Sequence, residues 1–406
     1  MSRAADPTGS RTSRLRRRRS TDQARTSRRV DYLCLQPTRE GQASRAHVYE
    51  IVAGLRRRGW DVQVIEPPHP RPGRLDGVRR VLAGVITQAR YWARCRLRPA
   101  EFVYIRTHFL SFPTALLARL AGSRVIQEVN GPLNDSYDAW PALRPLHRVL
   151  TWIVRTQLRW ANAVITVTPG LVDYYAEVTG RSDGFHVVGN GADTSRFVPR
   201  VTASGPSSRF VVFVGALASW QGVDTAVAAI GSPNWPAELD LVIAGDGKGR
   251  GIVEAASEAN HRIRWLGTIP SERAATLVSE SSVALVPMID APRSAYGLSP
   301  LKLFEAMASG VPVVASDLPG LREIVLEHQC GLLFRAGDAD DLARAVGEVV
   351  RDPARAAEMG ANGRIAAVSH YSWDARAGQT ERVLLSLVAG SRPAEGNGGR
   401  GDATGT

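Results

Sequence analysis

The chain is poor in cysteine. Its 406 residues hold only Cys34, Cys95 and Cys330, scattered without paired spacing. That excludes a disulfide framework or a cysteine zinc site and suits a reducing compartment. No apolar run approaches the roughly 20 residues of a membrane-spanning helix, and no apolar signal core follows the basic N-terminus. A protein that is neither secreted nor membrane-spanning is the expectation. No Ser-His-Asp set, metal cluster or P-loop is present either.

What is present is unevenly charged. The net charge is +12, but residues 1–29 alone hold ten Arg and two Asp. Residues 1–28 carry almost no apolar side chain and are expected to be disordered, with a nucleic-acid or anionic-lipid tether left open. The remainder, at 44% hydrophobic and 22% charged overall, reads as globular and is long enough for two domains.

One stretch organises the rest. Residues 299–317 read Ser-Pro-Leu-Lys-Leu-Phe-Glu-Ala-Met-Ala-Ser-Gly-Val-Pro-Val-Val-Ala-Ser-Asp. Ser299 suits an N-cap and Pro300 the first helical position. Leu301, Phe304 and Ala308 recur at helical spacing. Gly310 is placed to end the helix in the left-handed conformation, Pro312 blocks its continuation, and Val311 to Ala315 read as a strand. A helix N-terminus attracts anions. Lys302 in the first turn opposes the helix dipole unless an anion docks beside it. Lys302 and Glu305 read either as an i,i+3 ion pair or as two ligands, the lysine for a diphosphate and the glutamate for a ribose.

Around this stretch the pattern alternates strand and helix. Residues 30–35, 47–58 and 61–65 make a βαβ unit closed by Gly59. Strands follow at 102–105, 124–129, 163–167 and 185–188. After a Ser/Pro/Gly linker at 201–208 come strands at 210–214, 239–244, 264–269 and 283–287. Parallel sheets place ligands beyond the carboxyl ends of strands, so Asn130-Gly131 reads either as a plain turn or as part of a site. In the helical stretch 144–162, Arg144, Arg148, Arg155 and Arg159 span only about 60° of a helix face. Leu146, Val149, Leu150 and Ile153 lie largely opposite. With the basic stretch 77–98, this face reads either as solvated or as a dock for anionic lipid.

The run from Ser299 to Ala315 resembles the donor-site helix of the retaining, nucleotide-sugar-dependent glycosyltransferases of family 4, which have the GT-B fold. Gly297 stands where many members carry a first glutamate, and the chain resembles the Ser-Pro-x-Lys-x-x-Glu branch. Gly189-Asn190-Gly191-Ala192-Asp193, with Phe197-Val198-Pro199, resembles the segment closing the family's N-terminal domain. Ala216 and Gln221 occupy the places of an arginine and a lysine in the family's phosphate loop. The resemblance implies an α/β fold of two Rossmann-like doubly wound domains facing each other across a cleft. It places an acceptor domain at 29–200 and a nucleotide-sugar domain at 209–372. A helix at 373–390 would return toward the N-terminal domain, with disordered tails at 1–28 and 391–406.

The implied reaction is transfer of a sugar from a nucleotide-diphosphate donor to an acceptor hydroxyl with retention, in glycan, glycolipid or glycoconjugate biosynthesis. Catalytic roles fall on Lys302 and Asn130. Donor contacts fall on Glu305, Ser299, Pro300, Leu301, Gly215, Gln221, Gly222, Gly245, Thr268 and Ile269. An acceptor-side loop would hold Gly41, Ser44 and His47. No permanently bound cofactor and no obligatory metal are expected. The partners implied are the donor, a lipid-linked or small-molecule acceptor and, on one reading, an anionic membrane surface, but not nucleic acid. The location implied is the cytoplasm, with the inner face of the membrane as a variant. Two alternatives stand beside this reading. One is a nucleotide-sugar epimerase on the same fold, and the other a non-catalytic nucleic-acid binder acting through the arginine-rich tail.

Overall fold

The computed structural model describes residues 28–36, 38, 43–68, 76–200 and 210–389. The two expected tails (Arg28 apart), Gly41 and the 201–208 linker lie outside the described residues.

Two six-stranded sheets form the molecule. The first comprises β1 (Arg29–Cys34), β2 (Asp61–Ile65), β3 (Phe102–Arg106), β4 (Arg124–Val129), β5 (Ala163–Thr166) and β6 (Phe185–Val187). Their order in space is β2-β1-β3-β4-β5-β6. The second comprises β7 (Phe210–Val214), β8 (Asp240–Ala244), β9 (Ile263–Trp265), β10 (Val283–Val286), β11 (Val313–Ser316) and β12 (Gly331–Phe334). Their order is β12-β11-β10-β7-β8-β9. Every pairing is parallel. Parallel strands need long crossovers, and the helices in those crossovers bury both sheet faces. The strand order reverses between β1 and β3 and between β7 and β10. Such switch points are where open α/β sheets bind ligands.

On one face of the first sheet, Tyr32, Phe102, Ile126 and Ile165 pack with Val48, Ile51 and Leu55 of helix Ala43–Arg57. On the other, Leu33, Val103 and Val125 pack with Tyr91 and Trp92 of helix Asp76–Cys95 and with Ala115 and Ala118 of helix Phe112–Leu120. The last helix, Trp373–Ala389, comes back onto the first half. Arg58 donates two hydrogen bonds to Asp374, at 2.7 and 2.8 Å, and the Trp60 indole donates to Glu381 at 2.9 Å. Among the described residues, no helix is long and apolar enough to cross a membrane.

Several boundaries differ from the sequence reading. The first helix starts at Ala43, so His47 and Ser44 lie inside it and not in a loop. Pro145 holds Pro141–Leu146 in a 3₁₀ turn ahead of helix His147–Trp160, so Arg144 does not share a helix with Arg148, Arg155 and Arg159. β9 ends at Trp265, which leaves Thr268 and Ile269 in the following loop. β11 starts at Val313, because the Val311 N–H is drawn back to Ala306 O and Pro312 has none to give.

Candidate functional site

A carboxylate stands at the centre of the first half. Glu128, near the end of β4, is completely buried. A charge there must be compensated by neighbours. Parallel register sets Tyr32 beside Tyr104 and Arg106 beside Glu128. Oε2 accepts from Tyr104 at 2.7 Å and Tyr32 at 3.0 Å, and Oε1 accepts from Arg106 at 2.6 Å and Asn130 at 2.7 Å. His47 Nε2 lies 3.2 Å from Oε2. Burial alone would raise this carboxyl. The His47 ring, the Arg106 guanidinium and the hydrogen bonds from His47 and Asn130 instead hold it well below the usual range.

The network continues into the second half. His47 Nδ1 lies 2.8 Å from Asn190 Oδ1, and Asn190 Nδ2 donates to Ser299 O at 2.6 Å. The Asn190 N–H donates to Ser299 Oγ at 3.1 Å, while Arg376 Nε donates to Asn190 O at 2.9 Å. Ser299 therefore does not cap the helix. Pro300 is the cap residue of helix Leu301–Ala308 and makes no side-chain hydrogen bond. The helix starts one residue late and its first turn is uncapped by any side chain. Since proline has no N–H, the free amides there belong to Leu301 and Lys302, not to Ser299–Leu301 as expected.

Lys302 is one of only two lysines among 51 basic residues. Its Nζ is enclosed without a hydrogen-bond partner, 3.9 Å above the Phe213 ring, and its stem runs alongside Gly215. Burial lowers its pKa to about 7 against an opposing pull from Glu305. An arginine could not be held near neutrality in this way. Glu305 is raised to about 7 by burial, with Lys302 and Arg196 opposing. Lys302 Nζ makes no hydrogen bond to Glu305, although the two groups act on each other's charge. Gln221 Oε1 is also buried without a partner.

The glycines of this half are mostly occupied by the chain itself. A Cβ on Gly245 would collide with Gly215 O, and one on Gly222 with Pro287 O. Gly297 has φ 81° and ψ 153°, a backbone shape essentially restricted to glycine. A glutamate cannot stand there on this backbone, so the missing carboxylate goes with a different local conformation.

Two cavities flank the network. One, about 260 Å³, is lined by Arg106, Glu128, Asn130, Tyr137, Leu150 and Val154 among others. A second, about 90 Å³, shares Asn130, Gly131 and Pro132 with it and reaches Asn190, Arg293 and Ser299. Contacts across the halves close this region: Arg293 pairs with Asp135 at 3.4 Å, and Thr168 Oγ1 donates to Tyr296 O at 2.6 Å.

The structure thus unites Asn130, His47 and Ser299, and sets Lys302 against Gly215. It leaves Thr268 exposed and Ile269 half-buried after β9, and Ser44 outside the network. Leu301 packs against the core of the first half. Tyr32, Tyr104, Arg106, Glu128 and Arg376 were not singled out as site residues in the sequence. The available signal was charge at Arg106, at the end of an otherwise apolar strand, and at Glu128, beside Gln127 in the next one.

Residues 43–191 match the family described as Glycosyl transferase 4-like domain, and residues 208–352 match Glycosyl transferases group 1. The chain is 31% identical over 273 residues to alpha-maltose-1-phosphate synthase of Mycolicibacterium smegmatis, covering 60% of this chain and 68% of that one. Its fold resembles sucrose-phosphate synthase from Thermosynechococcus elongatus, with a TM-score of 0.71 at 20% identity over 89% of this chain and 100% of the other. It also resembles Anabaena HepE in complex with UDP-glucose, with a TM-score of 0.63 at 17% identity over 89% and 99%.

Proposed function

The chain belongs to the group 1, family 4 glycosyltransferases of GT-B fold, and on that premise we propose that it moves a sugar from a nucleoside-diphosphate donor to an acceptor hydroxyl with retention. The observation that carries this reading is the Lys302 ammonium, enclosed without a partner at the open N-terminus of helix Leu301–Ala308. Burial disfavours the charge on Lys302, with Glu305 pulling the other way, and an anionic ligand beside Nζ would offset that cost.

In this reading the diphosphate rests on Lys302 Nζ and on the Leu301 and Lys302 amides, alongside Gly215. Glu305 accepts from the ribose. Asn130 gives its NH₂ to Glu128, so its amide oxygen is available to the sugar or the attacking hydroxyl. The bond from anomeric carbon to diphosphate breaks as the acceptor oxygen joins the same face, and the acceptor proton leaves on the departing diphosphate. Negative charge grows on that diphosphate, so fixed positive groups there favour the transition state over the ground state. Positioning supplies the rest. Lys302 and the helix N-terminus carry the neutralisation, so activity should survive a chelator. The acceptor is lipid-linked or a small molecule, met in the cytoplasm or at the inner membrane face.

UDP-glucose is the first donor to try, since it is the ligand named for HepE. A donor panel with mixed sugar and lipid acceptors, scored by nucleoside-diphosphate release, tests the reading. Failure with every donor would overturn it. Product anomeric configuration by NMR tests retention separately. An epimerase would instead alter the donor with no acceptor present.

A further inference from the structure

We propose that the outer face of the first half, built from helix Asp76–Cys95, Trp140 and helix His147–Trp160, docks on an anionic lipid bilayer. Val78, Val81, Leu82, Val85 and Ile86 fall at i, i+3, i+4, i+7 and i+8, which makes one stripe along the first helix. In a core helix such a stripe points inward. Here all five are 42–59% exposed, while Gly84, Gln88, Tyr91 and Trp92 face the protein. Trp140, Leu146, Val149 and Trp152 are 43–58% exposed as well.

Trp140 and the 3₁₀ turn Phe109–Ser111 bridge these elements. Trp140 lies against Gly77 and under the Arg80 guanidinium, 5.3 Å away. Leu110 links the first helix, at Gly84, to the 3₁₀ turn Phe109–Ser111, and Phe112 next to that turn packs 6.0 Å from Trp152. Scattered exposed apolar residues are normal, but nine large ones on neighbouring elements are not.

The charge around the patch identifies the occupant. Residues 76–160 contain thirteen arginines and five acidic residues, with Arg106 and Glu128 buried against each other. No acidic residue occurs from 77 to 100. Arg79, Arg90 and Arg94 on the first helix, and Arg148, Arg155 and Arg159 on the second, are exposed beside the apolar residues. An apolar stripe edged by arginine suits a helix lying in the interface of an anionic membrane. A second copy of the chain fits less well, because a two-fold contact would set the arginines against each other. Nucleic acid would use the arginines but leave the apolar stripe in water.

The docking face does not depend on the sugar-transfer reading, but its use does. Helix His147–Trp160 turns Val149 and Trp152 outward and lines the 260 Å³ cavity with Leu150 and Val154. A lipid-borne acceptor hydroxyl would thus enter from the docked side.

Co-sedimentation of the full chain with phosphatidylcholine vesicles, with and without phosphatidylglycerol, needs no turnover and so tests docking apart from catalysis. Binding should require the anionic lipid and weaken with salt. Leu82→Glu with Val85→Glu should cut partitioning at least about tenfold, as should Arg148→Glu with Arg155→Glu, with circular dichroism unchanged because all four are exposed. Undiminished binding of both variants would assign the effect to the basic N-terminal segment and overturn the proposal. So would absence of binding by the wild type, or a dimer dissolved by Leu82→Glu and Val85→Glu without any vesicle binding.

Discussion

The two halves each bury charge, and they treat it in opposite ways. In the first half, Glu128 is met by four hydrogen-bond donors and the His47 ring, and its carboxyl is pulled well below the usual range. In the second half, Lys302 Nζ has no partner, and burial moves both Lys302 and Glu305 toward neutrality. A satisfied network fixes geometry, because moving any member strands the others. An unsatisfied buried group is poised for something the chain does not itself contain. The first half therefore holds its site residues in place before any ligand arrives. The second half keeps its binding energy in reserve.

The sharpest way to break this contrast is Glu128→Ala. It leaves Arg106 buried without a counter-charge, which should cost about 3–5 kcal/mol of stability. Thermal unfolding should show a Tm lower by roughly 10 °C. An unchanged Tm would mean that the network is dispensable. Lys302→Ala should do the reverse. It removes no hydrogen bond and lifts the desolvation cost of a buried amine, which offsets the packing lost on Phe213, so Tm should change far less than in Glu128→Ala, yet turnover at saturating donor should drop about 10²–10³-fold, the usual loss for one transition-state charge donor. Lys302→Arg should not restore it, because guanidinium is bulkier and cannot be partly neutral. Wild-type turnover in Lys302→Ala would end the idea that this cation serves the leaving group.

The contrast also separates what the sequence made legible from what it hid. The alternation of apolar strands with amphipathic helices gave two α/β halves, because period and punctuation are local properties. Lys302 was visible for the same reason: a cation in the first turn of a helix offends a local rule. Glu128 lies inside the strand read at 124–129 and was not marked as a site residue. Its partners come from β1, β3, the first helix and the loop after β4, and no local pattern joins Tyr32 to Tyr104 or His47 to Asn190. Ser299 misled in the same way. Its spacing suits a cap, but Asn190, 109 residues away, claims its hydroxyl. The exposed stripe on helix Asp76–Cys95 shows the limit most plainly. Its periodicity is that of a core helix, and only the packing of Tyr91 and Trp92 reveals which side faces the protein.

A smaller effect sharpens the second half of the comparison. Glu305→Gln keeps the shape and removes the ionisable acceptor. If Glu305 accepts from a ribose hydroxyl, donor affinity by calorimetry should weaken by about 1.5–3 kcal/mol. The fold should hold, since burial already disfavours the charge that is lost. Unchanged affinity would leave Glu305 a structural residue balanced against Lys302 and Arg196.

The smallest expected signal is a fraction of a proton, and it reads the reserve directly. Lys302 is lowered from 10.5 to about 7. Between those values the unfolded chain binds more protons, so the stability linked to Lys302 is present above about 10.5 and is lost as pH falls through about 7. Glu305 runs the other way, raised from 4.5 to about 7, so its contribution is present below 4.5 and is lost as pH rises through about 7. At pH 8 both groups are mostly deprotonated, so either could take up a proton, and the Lys302→Ala variant tells them apart. A diphosphate beside Nζ favours the ammonium and raises its pKa again. Binding of a nucleoside diphosphate at pH 8 should therefore draw in up to about one proton, and affinity should fall as pH climbs from about 7 toward 10. Calorimetry in two buffers of different ionisation enthalpy measures the uptake. It should be present in the wild type and absent in Lys302→Ala. If the binding heat is the same in both buffers, Lys302 is already charged before the ligand arrives, and the contrast between the halves reduces to one of hydrogen bonding alone.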